Sequence, residues 1–246
     1  MIIPKRISVA LPCLLLLGCA PIRSGTPRNT PRAVDARTEF QIIAQEILEN
    51  LKDSNNLNFG VEMLPPDRIY YQFGSVRPDP ANNGRYLIAI NVLNIKDIAS
   101  EAVLAVLIGH ELSHVILGHL HFPDLPYISG HSQFAADSLG VTLAERAGYR
   151  STEFISMMIV FLENRIRSNN YLIRDIREGI RQAPHSESRH DTLRSYLQNE
   201  YDYNYRLERL RVLRSSLEDR GSKGKRFILS NENSWRDLLS RLQRNL

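Results

Sequence analysis

The sequence predicts an α+β fold that is mainly α, with a small antiparallel β-sheet beside a buried central helix. Three observations lead to this prediction. Apolar residues recur at helical spacing along most of the 246-residue chain. Residues 55–94 are instead rich in Val, Ile, Tyr and Phe and are interrupted by Pro, Asn and Gly, which is typical of strands and turns. Residues 97–121 are apolar on almost every side, which is typical of a helix inside a core.

The elements are predicted to follow one another in a simple order. A first helix precedes two to four strands, and the central helix then covers residues 97–121, capped by Asp97 or Ser100. Further helices are predicted at 133–147 and 151–168, and the residues beyond them are mostly helical and rich in Arg. Two leucine-rich stripes in this C-terminal part favour packing onto the domain; the alternative is a surface that binds a partner or a membrane.

Residues 1–18 are predicted to be an export signal. Lys5 and Arg6 precede an apolar stretch of about eleven residues, from Ile7 to Leu17, whereas a helix that spans a bilayer needs roughly twenty. The stretch ends in Gly18-Cys19, which resembles a bacterial lipobox, where the cysteine is lipidated and becomes the N-terminus. The alternative is an ordinary signal peptide with an incidental cysteine.

Processing at Cys19 would leave a lipid-anchored protein. Residues 19–34 are rich in Pro, Gly, Ser, Thr and Arg without an apolar period, so a flexible tether is predicted behind the anchor. Ala20 follows the cysteine; in the lipoproteins that this segment resembles, Asp at that place favours the inner membrane. The sequence therefore predicts a lipoprotein of the bacterial cell envelope that faces the periplasm from the outer membrane.

Composition argues against several classes of function. Removing Lys5 and Arg6 from the 31 basic residues leaves 29 against 27 acidic ones, with no long basic run, so nucleic acid is not an expected partner. The two cysteines are Cys13 and Cys19, so the mature body offers no thiol for catalysis and no thiolate metal ligand. The sequence contains no phosphate-binding glycine loop and no serine nucleophile elbow.

The residues that can carry chemistry lie in the central helix, where His110, Glu111 and His114 form an HExxH pattern. Residues four apart on a helix share a face, so both imidazoles can bind one Zn²⁺. Glu111 lies beside the first ligand, where it can take a proton from water and pass it to the leaving amine. Polar groups in an apolar helix are costly to bury without partners, and a metal would supply a partner.

The other histidines of this region are predicted to be structural. His119 lies five residues after His114, about 500° around a helix, so it is expected to face another side. His119 and His121 both follow Gly118 near the end of the predicted helix, where the helix dipole favours an imidazole. The alternative to a metal site is a core helix whose histidines bond to backbone carbonyls.

Two segments resemble a known family. Residues 100–120 and 134–149 are similar to the zinc endopeptidases that include the CAAX prenyl protease and the heat-shock protease HtpX, and more closely to small periplasmic lipoprotein members of that family. The resemblance covers roughly residues 35–200 and implies a zincin-like helical metallopeptidase domain with one zinc ion per chain. Residues 201–246 are then a helical extension packed on this domain.

The family pairs HExxH with a downstream helix of the form E-x-x-x-D, whose first Glu is the third zinc ligand. The matching positions here are Gln133 and Asp137, followed by Gly140 at the place of a family glycine. Gln133 is neutral and would bind a metal more weakly than a carboxylate. In the family, the Asp supports a zinc-binding histidine without touching the metal; Asp137 or His131 is an alternative ligand.

A further family feature is a His-Pro motif in the helical tail, followed by Arg and Leu. Its histidine approaches the active site, where it can stabilise the oxyanion or mask the metal. The chain offers His185 and His190, with Arg194 and Leu197 downstream, and no Pro follows either histidine. His190 is the better match; a surface histidine on a charged helix is the alternative.

These expectations together describe a membrane-anchored zinc metalloendopeptidase. The resemblance implies that its substrates are extended segments of unfolded or misassembled envelope proteins, bound along the edge of the small sheet. The second hypothesis is a protease-like lipoprotein that binds client proteins without cleaving them, favoured by Gln133 and disfavoured by the intact Glu111. The third is a purely structural lipoprotein, which the polar groups of the central helix argue against.

Overall fold

Helices make up most of the chain. The computed structural model describes residues 35–66, 73–91, 98–120, 129–219 and 232–244. The predicted signal, the lipidated cysteine and the tether lie outside these residues, as do the predicted cap Asp97 and the structural His121. No helix of the described part is long and apolar enough to cross a membrane.

Six helices and three strands form within the described ranges. Their order and bounds are α1 (Ala36–Asn55), β1 (Gly60–Met63), β2 (Gly74–Pro78), β3 (Arg85–Ile90), α2 (Glu101–Ile116), α3 (Gly130–Arg146), α4 (Thr152–Gln182), α5 (Glu187–Asp219) and α6 (Glu232–Arg244). The prediction of a mainly α protein with a small sheet is confirmed. The predicted domain boundary at residue 200 falls inside α5, which continues through it without a break.

The sheet is mixed, so the prediction of an antiparallel sheet is wrong for one of its two strand pairs. The strand order is β1-β3-β2; β2 pairs antiparallel with β3, whereas β1 pairs parallel with β3. The connection from β1 to β2 begins with Leu64-Pro65-Pro66, and proline cannot donate a ladder hydrogen bond. β1 and β2 lie on opposite edges of β3, so they do not pair with each other as a hairpin.

Helix α2 passes through the centre of the core. Every residue at 103–114 is buried, which agrees with the apolar character of this segment. The Ser100 side chain accepts a hydrogen bond from the Val103 backbone N–H at the start of the helix. The helix ends at Ile116, five residues before the predicted end, because Gly118 takes a left-handed conformation with φ of 71° and turns the chain away.

The remaining helices pack around α2. Helix α3 lies directly against it, and α4 and α5 form a long antiparallel pair beside α3. Helix α6 packs on α1, where the Trp235 ring lies 6.2 Å from Phe40 and its N–H donates to the carbonyl of Ile98 at 3.1 Å. The apolar faces of these helices join one core around the HExxH segment.

Candidate metal centre

The HExxH residues lie on the buried part of α2. His110, Glu111 and His114 are 6%, 4% and 3% exposed, so burial removes all three polar side chains from bulk water. A buried polar group without a partner costs about 1–3 kcal/mol or more. The contacts of these three side chains therefore indicate what the site is built to hold.

The two imidazoles meet edge to face. Nε2 of His110 lies 3.1 Å from Nε2 of His114, and the ring centroids are 4.7 Å apart at an interplanar angle of 85°. Two nitrogen ligands of a tetrahedral zinc ion, each at about 2.0–2.1 Å, lie roughly 3.3 Å from one another. The separation of the two nitrogens thus fits a shared Zn²⁺.

Behind His110 lies a buried carboxylate. Oδ1 of Asp137 is 2.9 Å from Nδ1 of His110, although the N–H direction is not well aligned with that oxygen. Burial by itself would raise the pKa of Asp137, but the Arg206 guanidinium and His110 outweigh burial and hold this pKa at about 2. The ionised carboxylate favours a proton on Nδ1 of His110, which leaves Nε2 with a free lone pair.

Asp137 is in turn fixed by α5. Arg206 donates from Nε to Oδ2 at 2.6 Å and from Nη2 to Oδ1 at 2.7 Å, a bidentate pair. Asp137 is fully buried and the Arg206 side chain is 13% exposed. Because both carboxylate oxygens already have partners, Asp137 is suited to orient His110 and not to bind a metal itself.

Two glycines allow α3 to reach His110. A Cβ atom added to Gly140 would lie 2.6 Å from the backbone nitrogen of His110, and one added to Gly109 would lie 2.9 Å from the carbonyl oxygen of Gly140. Any larger residue at either position would force the two helices apart. The close approach of α2 and α3 therefore sets the distance from Asp137 to His110.

Helix α5 also holds the N-terminus of α3. The buried Asp202 accepts a hydrogen bond from the Gly130 backbone N–H at 2.8 Å, one helical turn before Arg206. Tyr205 stacks on His131 with ring centroids 3.8 Å apart. His131, which sequence reasoning left as an alternative ligand, is exposed in this stack.

Behind His114 lies a second imidazole. Nδ1 of His119 is 2.8 Å from Nδ1 of His114, so the expectation that His119 faces another side is wrong. That expectation assumed a continuous helix, whereas the left-handed Gly118 folds the following residue back, and the His119 backbone N–H donates to the His114 carbonyl at 2.9 Å. Burial, and then His110, lowers the pKa of His114 to about 3, so this ring is neutral, as a metal ligand must be.

Glu111 projects towards the sheet. A Cβ atom placed on Gly74, the first residue of β2, would lie 3.0 Å from Oε1 of Glu111. Burial raises the pKa of Glu111 to about 7, although His110 and then Arg206 oppose this shift. The candidate base thus lies against the first residue of β2.

Gln133 is half-buried on α3, one turn before Asp137. Residues four apart share a helix face, so its amide is on the side of α3 that carries Asp137. Within the described ranges, no group of three or more His, Cys, Asp or Glu side chains has the arrangement of a complete metal site. Among the described residues, the neutral amide of Gln133 remains a candidate for a third protein ligand.

The tail histidines lie at the other end of α5. His190 is exposed, and its Nδ1 is 2.9 Å from the carbonyl oxygen of Ser186. Arg194 pairs with Asp191 on the surface, and His185 is exposed. No hydrogen bond or ring contact recorded in the described part of the chain joins His190 to the HExxH residues.

Three residues of the site were missed in the sequence. Arg206 lies 69 positions from Asp137, and no local pattern distinguishes it from the other arginines of the tail. Gly74 lies in the segment 55–94, for which the sequence predicts strands and turns without singling out this residue. His119 had a usable signal, because a glycine one residue before it at a helix end is typical of a chain reversal.

Comparison of the chain with protein-family models, with curated proteins and with solved structures returns no match. Function is therefore inferred from the geometry of the site and from the resemblance of its motif.

Proposed function

We propose that the protein is a zinc metalloendopeptidase with a zincin-like site on α2. The observation that carries the proposal is the pair of Nε2 atoms 3.1 Å apart, each on a buried imidazole whose other nitrogen already has a polar neighbour. Such neighbours orient ligating histidines in known metal sites. A core helix with incidental histidines has no need of this double support.

His110 and His114 would hold the zinc, with the amide oxygen of Gln133 as the third protein donor. Zinc, when bound, supplies Lewis acidity that makes water more acidic and a peptide carbonyl more electrophilic. Asp137 and His119 keep the two rings in place behind it. Asp137 accepts only, whereas His119 can donate or accept, so it can match either tautomer of His114.

Glu111 would move the proton. Its carboxylate takes a proton from the attacking water and delivers it to the nitrogen of the leaving amine. The buried surroundings of Glu111 exclude competing water from this exchange. Because Glu111 lies against Gly74, the proposed general base is next to the first residue of β2.

The proposed substrate is an extended segment of an unfolded or misassembled envelope protein. In the order β1-β3-β2, strand β2 has one edge that no described strand occupies. An extended peptide can pair with such an edge through its main chain, as in other cases of strand addition. A peptide on β2 would then run past Gly74 and Glu111.

Lipidation at Cys19 and a tether over residues 19–34 would place the domain on the periplasmic side of the envelope, and Ala20 favours the outer membrane. Metabolic labelling with a fatty acid tests this part of the proposal. Label that depends on Cys19 is expected, and label retained by Cys19→Ser would contradict it.

A cleavage assay tests the enzymatic proposal. The zinc-loaded chain is incubated with an unfolded protein such as casein, beside the variant Glu111→Gln. Cleavage by the native chain at more than a hundredfold the rate of the variant is expected, because the variant lacks the proton acceptor. Equal rates for the two chains would contradict the role of Glu111.

Gln133 favours the second candidate function, a client-binding protein that does not cleave. A neutral amide is a weaker ligand than the family's carboxylate. Weak zinc binding would lower the fraction of chains that hold zinc and can cleave a peptide. The variant Gln133→Glu is expected to bind zinc at least tenfold more tightly. Zinc binding without Glu111-dependent cleavage, in both this variant and the native chain, would favour the client binder.

A further inference from the structure

Strand β2 has two different faces. Alternation along a strand puts Gly74 and Val76 on the side of Glu111, and Ser75 and Arg77 on the opposite side. A peptide paired with the free edge of β2 would alternate in the same way. Half of its side chains would point towards α2, and the other half would lie beside Ser75 and Arg77.

Ser75 and Arg77 line a groove of about 520 Å³. The groove crosses the sheet from β2 over Ala89 of β3 to the segment that follows β1. The described residues that line it are Arg37, Leu64, Pro65, Pro66, Ser75, Arg77 and Ala89. Two of these are arginines and none is acidic.

Neither arginine of the groove is neutralised by an ion pair within the described part of the chain. Asp35 lies near Arg37, but its carboxylate accepts hydrogen bonds from the backbone at the start of α1. Asp79 lies near Arg77, but its carboxylate binds the Ala81 backbone N–H at 2.9 Å and the Asn82 amide. Both acids are hydrogen-bonded in local turns, and each attracts the neighbouring guanidinium group through space without forming an ion pair with it. The guanidinium nitrogens can therefore still bind a carboxylate that arrives in the groove.

Arg85 on β3 shows the contrast. By alternation it lies on the same side of the sheet as Ala89, and it forms an ion pair with Glu62 of β1. This arginine is therefore already paired, whereas Arg77, at the edge where a peptide would arrive, is not.

We propose that this groove is a substrate subsite that takes acidic side chains. The inference rests on the proposed function in taking β2 as the strand that receives the peptide. A paired peptide strand lies about 4.8 Å from β2, so an Asp or Glu opposite Ser75 or Arg77 brings its carboxylate within reach of the Arg77 guanidinium. The preferred substrate is thus an extended segment with acidic residues at alternate positions.

Peptide binding tests the subsite separately from cleavage. The full chain carrying Glu111→Gln is titrated with two labelled ten-residue peptides that have Asp or Asn at the same two alternate positions. The Asp peptide is expected to bind about threefold more tightly at low salt, since exposed ion pairs are weak, and the difference should vanish at high salt. Arg77→Gln should abolish the preference, and Arg77→Glu should reverse it in favour of the Asn peptide.

Arg85→Gln is the matched control, because it removes an arginine of the same sheet face that is already paired. It should leave the preference for Asp unchanged. Equal binding of the Asp and Asn peptides, no binding of either, or a preference that survives Arg77→Gln would overturn the subsite. If the chain prefers the Asp peptide but the native chain cleaves no substrate, the enzymatic proposal fails and the subsite stands. If the native chain cleaves substrate but shows no preference for the Asp peptide, the subsite alone fails.

Discussion

Behind His110 lies an ion pair supplied by two other helices, whereas behind His114 lies a neutral imidazole from the turn that ends the same helix. The first arrangement joins residues up to 69 positions apart, and the second joins residues five apart. Both leave Nε2 facing the same point. One of the two proposed ligands is thus held by tertiary packing and the other by a local chain reversal.

Because of this difference, substitutions near the two histidines should affect the stability of the fold and the affinity for metal to different extents. The Asp137–Arg206 pair lies at the junction of α2, α3 and α5, so losing one partner leaves a charge inside the core. His119 is half-buried at the end of α2 and supports only His114. We expect changes behind His110 to weaken both the fold and the metal site, and changes behind His114 to weaken the metal site alone.

Arg206→Met has the largest expected effect. It leaves the buried Asp137 without its guanidinium, which should lower the free energy of unfolding by about 3–5 kcal/mol. Urea denaturation of the metal-free chain measures this loss. Arg211→Met is the control: Arg211 is 58% exposed in its ion pair with Glu163, so the loss should stay under about 1 kcal/mol. Similar losses in the two variants would contradict the special role of the junction.

Glu111→Gln tests another buried carboxyl, which forms no ion pair within the described part of the chain. The pKa of Glu111 is about 7 in the folded chain against 4.5 when unfolded, so the unfolded state ionises first as the pH rises. In the metal-free native chain the contribution of Glu111 to stability should therefore be lost between pH 4.5 and 7. His114, whose pKa is lowered by burial, contributes in the opposite direction, so the comparison with the variant isolates Glu111. The variant should be more stable than the native chain by about 3 kcal/mol at pH 8 and equally stable near pH 4.

Thermal unfolding of metal-free protein at the two pH values measures this difference. The exposed Glu178, whose substitution by Gln should change little at either pH, serves as control. A constant offset between Glu111→Gln and the native chain at both pH values would show that the carboxyl does not titrate as described.

Gly140→Ala tests the helix contact that brings α3 to His110. The added Cβ would collide with the α2 backbone, so a loss of about 1–3 kcal/mol and weaker zinc binding are expected. Gly179→Ala in α4 is the control, because the nearest atom there belongs to the flexible Arg189 side chain. The control should be neutral or slightly stabilising, since Ala favours helix over Gly. Equal behaviour of the two variants in urea denaturation would contradict a tight α2–α3 contact.

His119→Ala should have the smallest effect on stability, under about 1 kcal/mol, because the residue is only half-buried. It should still weaken zinc binding by about tenfold or more and change the visible spectrum of the Co²⁺-loaded chain, since His114 loses its orienting partner. His119→Asn should restore part of the affinity, because an amide can also donate or accept. His185→Ala, at an exposed position, is the control. Equal zinc affinities of the His185→Ala and His119→Ala variants would contradict the role of His119 in orienting His114.

The features that depend on neighbouring residues in the chain could be predicted from the sequence. The apolar character of residues 97–121 predicted a buried helix, and the spacing of His110 and His114 predicted a shared face. The pairing of β1 with β3 was missed, because strand partners are chosen across the whole sheet. The contact of Arg206 with Asp137 was missed for the same reason, since only the packing of α5 on α3 creates it. His119 was missed through a wrong assumption about where α2 ends.

Zinc content tests the central claim most directly. The metal-free chain is dialysed against Zn²⁺, freed of excess metal and analysed for zinc per chain, beside Glu111→Gln, His110→Ala and His114→Ala. One zinc per chain is expected in the native protein and in Glu111→Gln, with loss from both alanine variants, because the two Nε2 atoms are the proposed ligands. A native chain without zinc, or alanine variants that keep it, would contradict the metal centre.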